Sequence, residues 1–258
     1  MAAALSIVVV VVAGVAVWAH RSPTKVLPAG PPCRANVAGS IYRLDADQAA
    51  VATTVAGVGK RLGMPDHAVT VALATGLQES GLRNLDHGDR DSLGVFQQRP
   101  SQGWGTPGQI RTPRLATAAF YNRLVKVPGW EKLSVTDAAQ AVQHSGAADA
   151  YARWEPEARV LAQALTGEVP AAFACRAAVS RPASPGPALT NAMALELGPP
   201  ALGATVPAAT GWTVASWLVA RAGTSGLASV SFNGFRWASK TGVWAADASA
   251  GMQVLVNA

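Results

Sequence analysis

A continuous apolar run at the amino terminus constrains this chain more than any other feature. Residues 2–19 are apolar apart from Ser6 and Gly14. About 18 residues is at the short edge of what spans a bilayer and longer than most signal-peptide cores. The many β-branched residues, and the Pro-rich stretch that follows, argue against a buried core helix. We therefore expect a signal anchor, or transmembrane helix, over residues 1–20, with a cleaved signal peptide as the alternative.

The composition is that of a folded chain with a basic surface. Half of the 258 residues are hydrophobic and 14% are charged, which permits one sizeable core and a smaller one and excludes the disordered class. The net charge of +6 draws the protein to polyanions such as teichoic acids, acidic glycans or anionic lipids. Because no Lys/Arg cluster with interleaved aromatics is present, we expect no nucleic-acid partner.

The chain has two cysteines, Cys33 and Cys175. In an exported protein an even count predicts a disulfide, which would stabilise the fold by a few kcal/mol. Two buried free thiols are the alternative. Neither cysteine has a His or Cys neighbour at zinc-ligand spacing, so we expect no metal and no cofactor.

Composition and periodicity divide the chain into five segments. Pro, Gly and Ala dominate two of them, as is typical of linkers. The segments are an anchor at 1–20, a linker at 21–40, a main domain at 41–175, a second linker at 176–210 and a small module at 211–258.

Capping and periodicity signals make the main domain mainly α. The predicted helices cover 48–62, 67–79, 113–125, 138–144 and 158–165. The irregular stretch from Leu82 to Arg111 is long enough to predict a functional loop. In the last segment, a helical pattern over 212–222, Asn233-Gly234 between two apolar triplets and a strand pattern over 252–256 predict an α/β module with a hairpin.

Two short motifs lie on either side of the start of this loop. Leu77-Gln78-Glu79-Ser80-Gly81-Leu82 ends the second helix, and Gly94-Val95-Phe96-Gln97 follows about 15 residues after Glu79, with Gly88-Asp89-Arg90 between them. This pattern resembles the superfamily of soluble lytic transglycosylases and goose-type lysozymes, roughly from Ala50 to Leu165. The resemblance implies a lysozyme-like (transglycosylase-like) domain that cleaves the glycan strands of peptidoglycan.

The resemblance assigns the role of general acid to Glu79. Breaking a β-1,4 glycosidic bond requires a proton on the leaving oxygen, and a carboxylic acid supplies it near neutral pH when an apolar pocket raises its pKa. In a transglycosylase the substrate's own N-acetyl and C6 hydroxyl groups complete the reaction and leave a 1,6-anhydro end. Pairing with Arg83, or capping of the local backbone, is the structural alternative for Glu79.

Asp89 is the candidate second carboxylate, which in a hydrolase would position or activate water. Asp86 and Asp91 compete for that role, and each of the three can also be an ordinary loop charge. The sequence leaves hydrolysis and anhydro formation open.

The expected substrate-binding residues surround Glu79 in the motif and loop. Phe96 and Trp104 are candidates to stack on sugar rings, with core packing as the alternative. Ser80 and Gln97 occupy the polar positions of the motif, and for Gln97 loop bracing is the alternative.

The chain departs from the family pattern on a later helix. Many transglycosylases carry Ala-Tyr-Asn-Ala-Gly there, and the nearest match places Val142 at the Tyr and Gln143 at the Asn position. Tyr151 is the candidate to supply the missing phenol, and Gln143 and Tyr151 are both expected to bind substrate. Arg99 lies where goose-type enzymes have an Asp. These departures favour the rival function, a non-catalytic peptidoglycan-binding or scaffold protein that keeps a degenerate groove.

The expected location is the cell membrane, with a single pass and a domain that faces the wall, or secretion if the first segment is cleaved. Arg21 and Lys25 follow the apolar run and none precede it, which taken alone would favour the opposite orientation. The expected partners are peptidoglycan strands, the membrane through the first segment and other wall proteins.

Overall fold

The computed structural model describes residues 32–144, 149–179, 183–199 and 202–257. The predicted anchor at 1–20, and the start of the linker after it, lie outside these residues. Pro31–Ala258 forms one compact unit. Among the described residues, none of the helices combines the length and the apolar character needed to cross a membrane.

The described chain contains eight α-helices and seven strands. The helices are α1 (Ala46–Arg61), α2 (Asp66–Ser80), α3 (Pro107–Ile110), α4 (Pro113–Leu124), α5 (Val135–Gln143), α6 (Glu155–Leu165), α7 (Pro187–Leu197) and α8 (Ala208–Ser225). The strands are β1 (Cys33–Val37), β2 (Ser40–Leu44), β3 (Phe173–Cys175), β4 (Ser229–Phe232), β5 (Phe235–Ala238), β6 (Val243–Ala246) and β7 (Leu255–Asn257).

The prediction of a mainly α, lysozyme-like domain with a separate small α/β module is wrong. About 48% of the structure is helical, and two antiparallel sheets accompany the helices. A three-stranded sheet has the order β2-β1-β3, and a four-stranded sheet has the order β6-β5-β4-β7. The carboxy-terminal elements share one hydrophobic core with the rest, and α8 packs along α1.

The three-stranded sheet occupies part of what the sequence predicts as a linker. Strands β1 and β2 form a hairpin whose turn residues Ala38 and Gly39 both have positive φ, and β3 pairs with the other edge of β1. The register of that pair sets Cys33 opposite Cys175, and the two form the expected disulfide, which is confirmed.

Two central helices carry the core. Almost every residue of α1 from Ala49 to Gly59, and every residue of α2 from Ala68 to Leu77, is buried, as is typical of helices surrounded on all sides. Asp45 and Gln48 begin α1 with a reciprocal capping box, and α2 ends at Gly81 in the left-handed conformation.

A buried polar cluster fastens α7 and α8 to α1. The guanidinium of Arg221 donates to Glu196 at 2.8 Å and to Thr54 at 2.7 Å, and the indole of Trp217 donates to Glu196 at 2.7 Å. Burial lowers the pKa of Arg221 to about 10, against the opposing attraction of Glu196. A salt bridge this enclosed depends on both partners, because either charge left alone would be desolvated without compensation.

The four-stranded sheet contains the predicted hairpin. Val230 pairs with Trp237 across β4 and β5, and the turn residues Asn233 and Gly234 have φ of 45° and 79°. Positive φ at both central positions matches the twist of a two-residue hairpin, so the Asn-Gly prediction is confirmed.

Candidate active site at the end of helix α2

The buried part of α2 ends at Leu77, directly before the three polar residues that end the helix. Leu77 is buried, whereas Gln78, Glu79 and Ser80 are half-buried in the last turn. The helix therefore holds Glu79 on a rigid element at the edge of the core, with its carboxyl partly shielded from water.

A buried phenol orients this carboxyl. The hydroxyl of Tyr151 donates a hydrogen bond of 2.7 Å to Oε1 of Glu79, and Tyr151 is fully buried. The two residues lie 72 positions apart in the sequence. Tyr151 thus contacts Glu79, as the sequence analysis expects. Val142 stands where the family motif has its tyrosine.

The neighbour of Glu79 fastens the Tyr151 segment to α2. Oε1 of Gln78 accepts hydrogen bonds from Arg153 at 3.0 Å and from the indole of Trp154 at 2.9 Å. The sequence motifs single out neither donor. Both residues lie within one helical turn of Tyr151, and this spacing is the sequence feature that could have identified them.

Ser80 connects the helix end to the second motif. Its hydroxyl donates to the carbonyl of Val95 at 2.7 Å and accepts from the backbone amide of Arg83 at 3.0 Å. These bonds engage Ser80 with the backbone, and they place the Gly94–Gln97 turn beside Glu79.

A second polar bond holds the same turn from α5. The amide of Gln143 donates to the carbonyl of Phe96 at 2.8 Å. Gly94 has φ of 74°, and a Cβ there would lie 2.5 Å from the carbonyl oxygen of Ile110, so no larger residue fits this turn. The turn is therefore positioned by α2, α5 and the end of α3.

Gln97 faces the loop backbone. It has positive φ, and its amide donates to the carbonyls of Gly94 at 3.2 Å and His87 at 3.3 Å. This arrangement corresponds to the loop-bracing alternative.

The two aromatic residues expected to stack on sugars are enclosed. Phe96 is fully buried and stacks on Phe120 with ring centroids 4.8 Å apart. Trp104 is 9% exposed, and the guanidinium of Arg123 lies 3.5 Å from the centre of its ring. Both side chains are packed among protein groups, which corresponds to the core-packing alternative. An aromatic residue in a Gly-rich loop has the same sequence pattern whether its ring packs in the core or stacks on a sugar.

The three loop aspartates have different surroundings. The side chain of Asp89 is 91% exposed, with the guanidinium of Arg90 3.9 Å away. Asp86 binds His87 at 2.8 Å, which lowers the pKa of this carboxyl. Among the described residues, no hydrogen bond or ion pair joins any of the three to Glu79.

Asp91 organises the loop around Arg99. The backbone amide of Ser101, then the side chains of Arg99 and Ser101, donate hydrogen bonds to this carboxylate and hold its pKa well below the usual value of 3.8. The Arg99–Asp91 distance is 2.6 Å. Arg99, which departs from the family pattern, thus has a structural partner in this chain.

Arg83, the alternative salt-bridge partner for Glu79, pairs with another carboxylate. Arg83 pairs with Asp45, the residue that caps α1. Burial acts to raise the pKa of Asp45, but the hydrogen bonds from Gln48 and Arg83 outweigh it and the pKa is lowered. The carboxyl of Glu79 keeps its bond to Tyr151 instead.

A further partly shielded carboxyl, which the sequence motifs do not single out, belongs to Glu157. Glu157 is half-buried on α6, the helix that packs against α2, and burial raises its pKa. As for metals, in the described ranges no group of three or more His, Cys, Asp or Glu side chains is placed to bind an ion.

Neither a protein-family model nor a curated protein matches this chain.

Proposed function

We propose that this protein cleaves the glycan strands of peptidoglycan, with Glu79 as the general acid. The observation that carries the proposal is the hydrogen bond from the buried Tyr151 to Glu79. A general acid must be held in one orientation against the leaving oxygen, and a phenol fixed in the core does this. The resemblance of the two motifs to lytic transglycosylases and goose-type lysozymes supplies the substrate class.

In the proposed step, the carboxyl of Glu79 donates its proton to the leaving glycosidic oxygen as the bond to C1 breaks. The C6 hydroxyl of the same sugar then attacks C1, and its proton passes to the carboxylate of Glu79. One product has a new free hydroxyl and the other a 1,6-anhydro ring, and the acid is regenerated.

The surroundings of the aspartates favour this intramolecular route over hydrolysis. Hydrolysis with inversion requires a second carboxylate that activates water opposite the acid. Asp89 is almost fully exposed, Asp86 is bound by His87, and Asp91 is bound by Arg99 and Ser101. Asp89 remains the candidate if the product carries a reducing end.

The proposed site of action is the outer face of the cell membrane. A structural disulfide is typical of proteins that fold in an oxidising compartment, and the apolar residues 2–19 would tether the chain there. Peptidoglycan strands, the membrane and other wall proteins are then the proposed partners.

The test is release of soluble muropeptides from purified peptidoglycan by the full chain in detergent, measured by mass spectrometry. Glu79→Gln should lower the rate at least about 100-fold, because it removes the proton donor. Glu131→Gln is the matched control, since Glu131 is exposed on another part of the surface, and it should keep the wild-type rate.

The rival function gives a different result. A wall-binding or scaffold protein would sediment with insoluble peptidoglycan and release no products, and Glu79→Gln would then change nothing. That outcome would overturn the catalytic proposal.

A further inference from the structure

The described structure contains a basic cavity beside the helix that supports the candidate site. The cavity measures about 550 Å³ and lies between the carboxy-terminal ends of α4 and α5. This volume is in the range of small-molecule sites. The lining residues are Arg123, Lys126, Val127, Pro128, Ala141, Val142 and His144.

This cavity lies next to Gln143, one of the residues that hold the Gly94–Gln97 turn. Val142 and His144 flank Gln143, whose amide holds the turn at Phe96. Another lining residue, Arg123, covers the ring of Trp104 and donates to the carbonyl of Gln102 at 3.1 Å. A ligand in the cavity would therefore contact the residues on either side of Gln143 and the guanidinium that packs on Trp104.

The charge of the cavity is of one sign. Arg123 and Lys126 contribute two full positive charges and His144 a third when protonated, while the lining residues that the structure describes include no acidic one. The two helix ends each contribute only about half a negative charge. Residues 145–148, which continue from His144, carry no charge in the sequence. The cavity therefore selects an anion.

The remaining lining is apolar and small. Val127, Pro128, Ala141 and Val142 provide no hydrogen-bonding side chain. A fitting ligand combines small apolar groups with a carboxylate at the rim. Glycan rings, which are rich in hydroxyl groups, fit this lining poorly, whereas the short peptide stems of peptidoglycan have both properties.

We propose that this cavity binds a carboxylate of the peptide stem and so selects peptide-bearing glycan over bare glycan. The inference rests on the proposed function, because that function supplies the peptidoglycan substrate. Lys126 is a specificity residue in this account: its exposed ammonium approaches the carboxylate without taking part in bond cleavage.

The test measures binding of the soluble pentapeptide L-Ala-γ-D-Glu-L-Lys-D-Ala-D-Ala to the full chain in detergent by titration calorimetry. Lys126→Glu should weaken binding roughly fivefold or more, because attraction is replaced by repulsion. Lys132→Glu makes the same charge change on an exposed lysine that is absent from the cavity lining. That control should stay within about twofold of wild type.

Two further arms identify the anion. The same peptide with its carboxylates amidated should bind at least fivefold more weakly than the free acid. Inorganic phosphate should compete only at concentrations above the dissociation constant of the peptide. Tighter binding of phosphate would assign the cavity to a phosphate-bearing polymer and overturn the proposal.

Failure of this inference is distinguishable from failure of the proposed function. No peptide binding, or equal binding by Lys126→Glu and Lys132→Glu, overturns the cavity assignment even if Glu79-dependent cleavage is observed. Peptide binding that depends on Lys126, in a protein that never cleaves glycan, supports the cavity assignment and overturns the catalytic role of Glu79.

Discussion

The hydroxyl of Tyr151 and Oε1 of Glu79 are joined by a 2.7 Å hydrogen bond between a fully buried residue and the last turn of α2. This hydrogen bond connects the buried core to Glu79, the carboxyl that the sequence motif singles out. If Glu79 is the general acid, its activity depends on this bond as well as on the carboxyl itself.

Tyr151→Phe tests that dependence. The substitution removes the hydroxyl and keeps the buried ring. We expect the rate of glycan cleavage to fall about 10- to 100-fold, because the carboxylate that forms as Glu79 gives up its proton loses a hydrogen bond. Tyr121→Phe is the matched control, because its hydroxyl donates to the carbonyl of Val55 in another part of the core. It should cost about 1 kcal/mol of stability and leave the rate unchanged. Equal rates for both variants would contradict the role of Tyr151.

Gly94→Ala tests the turn beside Glu79. The new Cβ would lie 2.5 Å from a backbone oxygen of Ile110, at a φ of 74° that disfavours side chains. We expect a loss of about 2–4 kcal/mol in unfolding free energy and a marked fall in cleavage rate. Gly103 has φ of 71° with open space around it, so Gly103→Ala should cost only about 1–2 kcal/mol and retain activity. Urea unfolding and the muropeptide assay measure both effects, and similar behaviour of the two variants would show that the contact with Ile110 is unimportant.

Asp91→Asn tests the organisation of the loop through pH. The folded-state pKa of Asp91 lies below the usual value of 3.8, so the unfolded chain binds more protons between the two pKa values. The contribution of Asp91 to stability is therefore complete above pH 3.8 and is lost as the pH falls through the folded pKa. Asp91→Asn should lower the urea midpoint at pH 6 and reduce its decline between pH 5 and about pH 2. Asp89→Asn makes the same charge change at an exposed side chain and should follow the wild-type curve. A wild-type curve for Asp91→Asn would contradict this assignment.

Reduction of the Cys33–Cys175 bond tests the connection between the first and third strands. The disulfide spans 142 residues, and closing so long a loop restricts the unfolded chain by about 3–5 kcal/mol. We expect the urea midpoint to fall by the corresponding amount in reducing buffer, and a Cys33→Ser, Cys175→Ser variant to have the reduced midpoint in either buffer. An unchanged midpoint would mean that strand pairing alone holds β1 to β3.

The helices around the candidate site could be predicted because their signals are local. The capping box at Asp45 and the glycine stop at Gly81 each involve neighbours within a few residues. The contact of Tyr151 with Glu79 is not local, and the sequence offered it only as a candidate. The disulfide followed from the count of cysteines and the expected compartment.

The sheets could not be predicted in the same way. Strand β3 has three residues and pairs with β1, which lies more than 130 residues earlier and within a segment whose Pro and Gly content indicated a linker. The burial of Phe96 and Trp104 could not be predicted from the sequence either. Aromatic residues in a Gly-rich loop fit a glycan platform as well as a core position. Only the packing of Phe120 and Arg123 against the two rings distinguishes these roles.

The most direct test of the central claim is digestion of peptidoglycan by the full chain in water enriched in ¹⁸O, with mass analysis of the released ends. We predict 1,6-anhydro ends that contain no ¹⁸O, formed by wild type and lost in Glu79→Gln. Reducing ends that carry ¹⁸O would contradict the intramolecular step and indicate hydrolysis, with Asp89 as the next residue to replace. The absence of any released product would contradict glycan cleavage itself.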